Sequence, residues 1–471
     1  MQPARLNIFQ RIMRIWDCVH PYNAAQAMYL RGPADIDLLR RAWTDAMRAM
    51  GIGRSRVQGN TFEHLPFEGR EDEEVTLVEE GADLATFVTR EMNRPMERIP
   101  GAKPGDSFVP IRPFVIRAGD NHFAGVIYHH WAADSTSIRT VIREWFLRAF
   151  DPSHAQNKPL TFPAGGLWRL FGPDRAKWSF AEGIGSALRL TTRFSNARRV
   201  ERPVEDYNIS ASTYALPDGT VAGLKTYARR AKVSINDIFL AAMAEACDQH
   251  GIMPRRPGRQ EIVLGTVADL RPSSPEDLTD VFGLFLGFTT NVLRPAELND
   301  FPRMVRAIAS QTAFQKRSAA AAASQMRMAA AVAEASLMSP QTWVKFYQQH
   351  LPLAAAISNV NLDRTWAGEY HPKVLLDYLR FTPTGPTLPM IFTPSSIGGR
   401  LNLVVTRRTA LVDDATAGRL AASFFKRLAA CASDNGGSAA QNPQAARVNA
   451  GEHAALTSIP DSGAVPRWAV G

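Results

Sequence analysis

The stretch from His122 to Phe150 constrains this chain more than any other. His122-Phe123-Ala124-Gly125-Val126-Ile127-Tyr128 reads as a strand, and it runs without a break into His129 and His130. Ser135 to Phe150 then reads as a helix, with Ile138, Val141, Ile142, Trp145, Phe146 and Ala149 on its apolar face. The polar residues between strand and helix form the one dense polar constellation of the sequence. In extended chain, neighbouring side chains point to opposite faces, so His129 and His130 cannot serve the same pocket. One should face a cleft and the other should be buried and hydrogen-bonded.

An imidazole near neutral pH is suited to taking a proton from a hydroxyl or an amine. Asp134 begins the helix, where a carboxylate can stabilise the N-terminus or hold the loop by pairing with a distant arginine. Other readings stay open from the residues alone. A histidine pair at a strand end is often structural. His-His-x-x-x-Asp also contains possible metal ligands, but the opposite facing of the two rings argues against a shared ion. No third histidine or cysteine cluster lies nearby in sequence, so no metal is expected.

Elsewhere, Ala24–Leu30 is strand-like, and Asp35 caps a helix carrying Leu38, Leu39, Ala42, Trp43, Ala46 and Met47. Short strand-like pieces surround Phe62, Val75 and Leu77, and 82–92 reads as a helix. Later strands are predicted at 108–116, 212–216, 261–267, 281–293, 354–360, 374–381 and 400–406. Later helices are predicted from an Asp218 cap to Ala231, from Ser234 through His250, over much of 301–337, and over 413–432.

The two halves repeat a rough order of strands and helices, which suggests two related lobes. The expected division is a first lobe over 1–165, a crossover over 166–200, a second lobe over 201–432, and a disordered Gly-, Ser-, Asn- and Ala-rich tail over 433–471. Cys18, Cys247 and Cys431 are far apart and form no CxxC pair, which fits a reducing, cytoplasmic setting without a disulfide framework. No apolar run approaches the length of a membrane span. The net charge of +9 over 471 residues suits an anionic partner, but the basic residues are dispersed and carry no nucleic-acid signature.

His129-His130-Trp131-Ala132-Ala133-Asp134-Ser135 resembles the HHxxxDG signature of the chloramphenicol acetyltransferase-like acyltransferases. That superfamily includes nonribosomal-peptide condensation domains, wax ester synthases/diacylglycerol acyltransferases and polyketide-associated acyltransferases. Other segments agree in order: Arg112-Pro113-Phe114, the Asn236-Asp237 helix start, Val267-Ala268-Asp269-Leu270-Arg271-Pro272, the Gly-rich 282–291 segment ending in Asn291, and Ile357-Ser358-Asn359-Val360. The likeness spans roughly residues 20 to 430.

The resemblance implies an α/β (α+β) fold of two acetyltransferase-like lobes meeting in a V around a central tunnel. It implies that His130 is the catalytic base, that His129 is structural, and that Asp134 pairs with Arg271. It places Trp131, Ser135, Asn236, Asn291, Ser358 and Asn359 as tunnel residues. The substrates it implies are an acyl-CoA or a phosphopantetheine-linked acyl group on a carrier protein acting in trans, and a small alcohol or amine acceptor. No bound cofactor is called for. Two departures stand out: Ser135 replaces the family's Gly, and Asn361-Leu362-Asp363 replaces the Pro-Gly-Pro of wax ester synthases. Both leave room for a non-catalytic member of the fold that binds an acyl carrier or a partner protein.

Overall fold

The computed structural model describes residues 3–78, 82–97, 103, 105–162, 181, 185, 190–201, 204–365 and 374–434. The first half runs β1 (Ala4–Arg5), α1 (Ile8–Asp17), β2 (Asn23–Arg31), α2 (Ile36–Met50), β3 (Ser55–Gln58), β4 (Thr61–His64), β5 (Thr76–Val78), α3 (Leu84–Met92), β6 (Ile111–Ala118), β7 (Asn121–His129) and α4 (Ser135–Phe150). The second half begins with β8 (Ile209–Ala215), α5 (Thr220–Ala231), α6 (Ile235–His250), β9 (Ile262–Asp269), β10 (Leu286–Leu293), α7 (Phe301–Arg317) and α8 (Ala320–Ala335). It continues with α9 (Pro340–His350), β11 (Ala355–Ile357), β12 (Val360–Asn361), β13 (Leu375–Phe381), β14 (Met390–Ile397), β15 (Arg400–Arg408) and α10 (Asp414–Ser433).

Two mixed sheets organise these elements. The first has the order β13-β2-β7-β6-β5, and the second β10-β9-β11-β14-β15-β8 with β12 beside β14. Along β7 the side chains alternate as an extended chain requires. Phe123 and Ile127 pack with α1 and α3, whereas Ala124, Val126 and Tyr128 pack with α2 and α4. The second lobe has its own core, built where α6 and α10 cover the second sheet with Ile238, Met243, Phe392, Leu403, Leu420 and Phe424.

The division in space is not the division by sequence at residue 201. β13 lies in the first sheet, paired antiparallel with β2, so a strand of the second half completes the first lobe. Trp343 and Tyr347 of α9 also join the apolar cluster that holds Phe9, Phe114 and Ile127. Most of the expected crossover (166–180, 182–184, 186–189) and the expected tail from 435 onward lie outside the described residues.

Local chemistry explains where the sequence reading and the structure differ. The helix predicted from an Asp218 cap is entered instead through Gly219 at φ +83°, with no side-chain cap, because only a left-handed residue turns the chain there. The extended piece predicted over 281–293 is a strand only from Leu286. Before it, Gly283 N donates to Ser137 Oγ at 2.9 Å and Phe285 N to Asp134 Oδ2 at 2.9 Å, which pulls that backbone off any ladder. The 301–337 helical stretch is two helices, broken at Ala319 with φ +46°.

Besides the short strands β1 and β3, three longer elements escaped the sequence reading. α1 carries an Asn7–Gln10 capping box, but Arg11 and Arg14 masked its apolar face of Phe9, Ile12 and Met13. α9 follows a Ser339 cap with Pro340 in its first turn. β14 contains Pro394 and the buried Ser395, which disguise a central strand.

Gly125 in β7 sits against the neighbouring strand so closely that an added Cβ would lie 2.3 Å from Gln26 O and 2.9 Å from Ala27 Cα. Gly125→Ala is predicted to force the β2–β7 pair apart, at a cost of about 1–3 kcal/mol by analogy with overpacked cores. Thermal unfolding should show a midpoint lowered by several degrees; an unchanged midpoint would contradict the close approach.

Candidate active site

The site grows from the end of β7. His129 closes the strand, and His130 N donates to Tyr22 O at 3.1 Å, turning the chain toward α4. The alternation separates the two rings. His129 is fully buried, with Nε2 3.4 Å from Asp17 Oδ2 and 3.9 Å from Glu97 Oε2. These three side chains offer ligand atoms within 4.8 Å of one another. Glu97 is also engaged by Arg14 and accepts from Trp131 Nε1 at 3.1 Å, so the cluster is a mixed ion-pair network beneath the loop rather than a set of open carboxylates.

His130 instead lines an open cavity whose walls come from both lobes. Its ring stacks on Tyr22 at 5.5 Å between centroids and meets Tyr128 edge-on at 5.7 Å. Nδ1 lies 3.3 Å from Ala133 O. A carbonyl oxygen can only accept, so this contact assigns the ring proton to Nδ1 and leaves the Nε2 lone pair available. Burial pushes the imidazole pKa down to about 4, against the carbonyl contact and Asp134, which favour the cation; Arg380 opposes it. At neutral pH the ring is therefore an uncharged base.

Asp134 caps α4, accepting from Thr136 N at 3.1 Å and Ser137 N at 3.0 Å through Oδ1. Its other oxygen accepts from Arg271 Nη1 at 2.7 Å and from Phe285 N at 2.9 Å. Arg271 also donates to Ser137 Oγ at 2.9 Å and stacks on Phe285 at 4.5 Å. Burial alone would raise the Asp134 pKa. Arg271 and the main-chain donors outweigh it and hold the carboxyl below its ordinary range.

The remaining sequence-derived positions divide by strand period. Ser135 and Ser358 line the cavity. Asn359, one residue beyond Ser358, is exposed. Asn291 is buried on β10, but Leu286, Phe288 and Thr290 present the cavity face of that strand, so Asn291 points the other way. Trp131 is fully buried among Phe62, Phe108 and His129 and wedges the loop rather than lining the cavity. Asn236 lies in the first turn of α6, where Ser234 and Asp237 form a capping box, and it does not reach the cavity.

The comparisons add the fold. No family model matches the chain, and no curated protein matches it. Solved structures do. The first condensation domain of the CDA synthetase superposes with a TM-score of 0.64 at 14% identity, covering 92% of this chain and 97% of that one. The condensation domain of the monacolin K polyketide synthase MokA gives 0.58 at 11% identity, over 92% and 98%. The epimerization domain from the third module of tyrocidine synthetase B gives 0.56 at 14%, over 91% and 97%. The chain has the condensation-domain fold.

On this condensation-domain fold, sequence reasoning missed Arg380 and Arg139. Arg380 lies on β13 and lines the cavity; its Nη1 donates to Ser135 Oγ at 3.0 Å and its Nη2 to Ser358 Oγ at 3.1 Å. Arg139 lies one turn into α4 and also donates to Ser135 Oγ, at 3.1 Å. The available signal was an arginine inside the apolar strand Leu375–Phe381, where a charge needs a reason.

Two predictions follow from the loop's supports. Asp134→Ala and Arg271→Ala should each destabilise by about 3–5 kcal/mol, since each strands a buried charge, and the double variant should lose much less than the sum. Strict additivity in a thermal or urea double-mutant cycle would exclude direct coupling. The Asp134 pKa is depressed on folding, so its contribution is present above the unfolded carboxylate pKa and is lost as pH falls through the folded value. His129→Ala is predicted to lower the melting temperature by leaving Asp17 and Glu97 facing each other; an unshifted midpoint would remove its structural role.

Proposed function

We propose that the chain is an acyltransferase that moves an acyl group from a thioester to a hydroxyl or an amine, with His130 as general base. One observation carries this reading. A buried, neutral imidazole lines the inter-lobe cavity with its proton directed to Ala133 O and its other nitrogen left free. The likeness to condensation domains supports the same class of reaction.

In the proposed sequence the acceptor's proton passes to His130 Nε2 as its oxygen or nitrogen attacks the thioester carbonyl. The tetrahedral intermediate then collapses, and His130 returns the proton to the departing thiol. A thioester needs no further activation, so no acyl-enzyme is required. Asp134 acts at a distance: its carboxylate is committed to Arg271 and to the helix start, and it fixes the loop that aims the imidazole. The donor is an acyl-CoA or an acyl group on the phosphopantetheine of a carrier protein, and the net charge of +9 suits either. The cavity wall formed by Phe9, Ile12, Met13, Leu286, Phe288 and Trp343 suits an apolar acyl or acceptor body.

The test is intact-mass analysis of products from a panel of acyl-CoA and acyl-carrier donors offered mixed alcohols and amines. His130→Ala is predicted to reduce transfer by about 10²–10⁴-fold while the protein stays folded. A near-wild-type rate in that variant would overturn the assignment. The pH profile gives a second check. A base with its pKa held near 4 is unprotonated above that value, so kcat/KM should stay level from pH 8 to about pH 5 and fall only below it. An inflection near pH 6.5 would mean that the ring titrates as it does in water.

A further inference from the structure

Ser135 stands where the superfamily signature has glycine, and its hydroxyl is used in an unusual way. Oγ accepts from Arg139 Nη1 at 3.1 Å and from Arg380 Nη1 at 3.0 Å. A hydroxyl has two acceptor positions and one proton. Two cationic donors fill both positions, which leaves the proton to be donated, and no acceptor for it occurs among the described residues. Ser135 lines the cavity beside His130.

The two guanidinium groups are themselves buried, with 4% and 6% of Arg139 and Arg380 exposed. Arg380 bonds otherwise only to the carbonyl and hydroxyl of Ser358. Arg139 bonds to Thr136 Oγ1 at 2.8 Å and to the Tyr378 hydroxyl. Each keeps a buried Nε with no hydrogen-bond partner. No carboxylate pairs with either among the described residues. Other buried arginines among the described residues have either a carboxylate or several main-chain carbonyls. Arg198 pairs with Asp248 at 2.6 Å and Arg271 with Asp134 at 2.7 Å, while Arg408 is spent on three main-chain carbonyls. Two neighbouring buried cations with no anion between them are costly unless a negative group completes the cluster.

Resting on the acyltransfer reading, we propose that Arg380, Arg139 and Ser135 form a binding site for a carboxylate on one of the two substrates, held beside the base. A carboxylate fits better than a phosphate. The phosphate of a pantetheine arm is separated from its thioester by the whole arm, whereas this cluster adjoins the residue that acts at the reacting carbonyl. The carboxylate can come from the acceptor, as in a free amino or hydroxy acid, or from the far end of a dicarboxylic acyl group on the donor. Charge-assisted bonds from Arg380 and the Ser135 hydroxyl would recognise either one.

Binding by titration calorimetry to the full chain, without turnover, separates the two sources. The acceptor arm compares leucine with leucinamide and 2-hydroxyisocaproate with its amide. The donor arm compares monomethyl suberate with dimethyl suberate. In one arm the acid should bind at least about tenfold tighter than its neutral counterpart, as expected for charge-assisted pairing. Arg380→Gln and Ser135→Ala should each erode that preference, and Arg380→Lys should keep part of it. If Arg380→Gln does not fold, the wild-type comparison and Ser135→Ala still decide. Equal binding of acid and neutral ligand in both arms, or a preference that survives both variants, overturns the site. A chain that transfers acyl groups to neutral acceptors while ignoring carboxylates sinks this inference alone. One that binds the acids but transfers nothing sinks the acyltransferase reading alone.

Discussion

The geometry of the cavity depends on one carboxylate. Asp134 belongs to the first lobe, caps α4, and reaches across to Arg271 and to Phe285 N of the second lobe. Ser137 repeats the crossing one turn later, donating to Gly283 O at 3.0 Å and accepting from Gly283 N at 2.9 Å. These bonds place the 282–285 backbone against the start of α4 and set the loop from His129 to Asp134 between the lobes. A salt bridge so deeply buried is poor evidence for net stability, because desolvation offsets most of its attraction. Its value is in register: the second lobe cannot shift without stranding a charge.

The strand period does the rest of the sorting. His129 and His130 part company because extended chain alternates, and the same rule sends Thr290 into the cavity and Asn291 away, Ser358 in and Asn359 out. A motif match names a neighbourhood of residues. Only the register of each strand decides which of them meets the ligand. This is why the histidine loop and the main strands were legible in the sequence, and the Asp134–Arg271 pair in the resemblance, while four of the six tunnel positions taken from the resemblance do not line the cavity.

What escaped the sequence did so for physical reasons. β14 is central and buried, yet Pro394 and two serines gave it the look of a loop. β13 was legible as a strand but not as part of the first sheet, since pairing across the lobes leaves no mark on local pattern. The same long-range step hid Arg380. Its partner Ser135 lies 245 positions away in sequence, and only the return of β13 to β2 brings the two together.

Burial has different outcomes for the charged groups around His130. It strips the imidazole of its proton, since the carbonyl contact and Asp134 offset only part of the desolvation. It lowers the Arg380 pKa as well, but a guanidinium starts so high that it stays charged at neutral pH. Asp134 is close enough to favour an imidazolium, and its ion pair with Arg271 at 2.7 Å weakens that pull. Arg380, with no such counter-charge, works against protonation. The base is therefore kept neutral chiefly by burial, with the unpaired Arg380 adding a smaller push in the same direction. A negative group arriving at Arg380 would offset that smaller push and make it easier for His130 to accept a proton. Binding a carboxylate and priming the base would then be one electrostatic event in the same cavity.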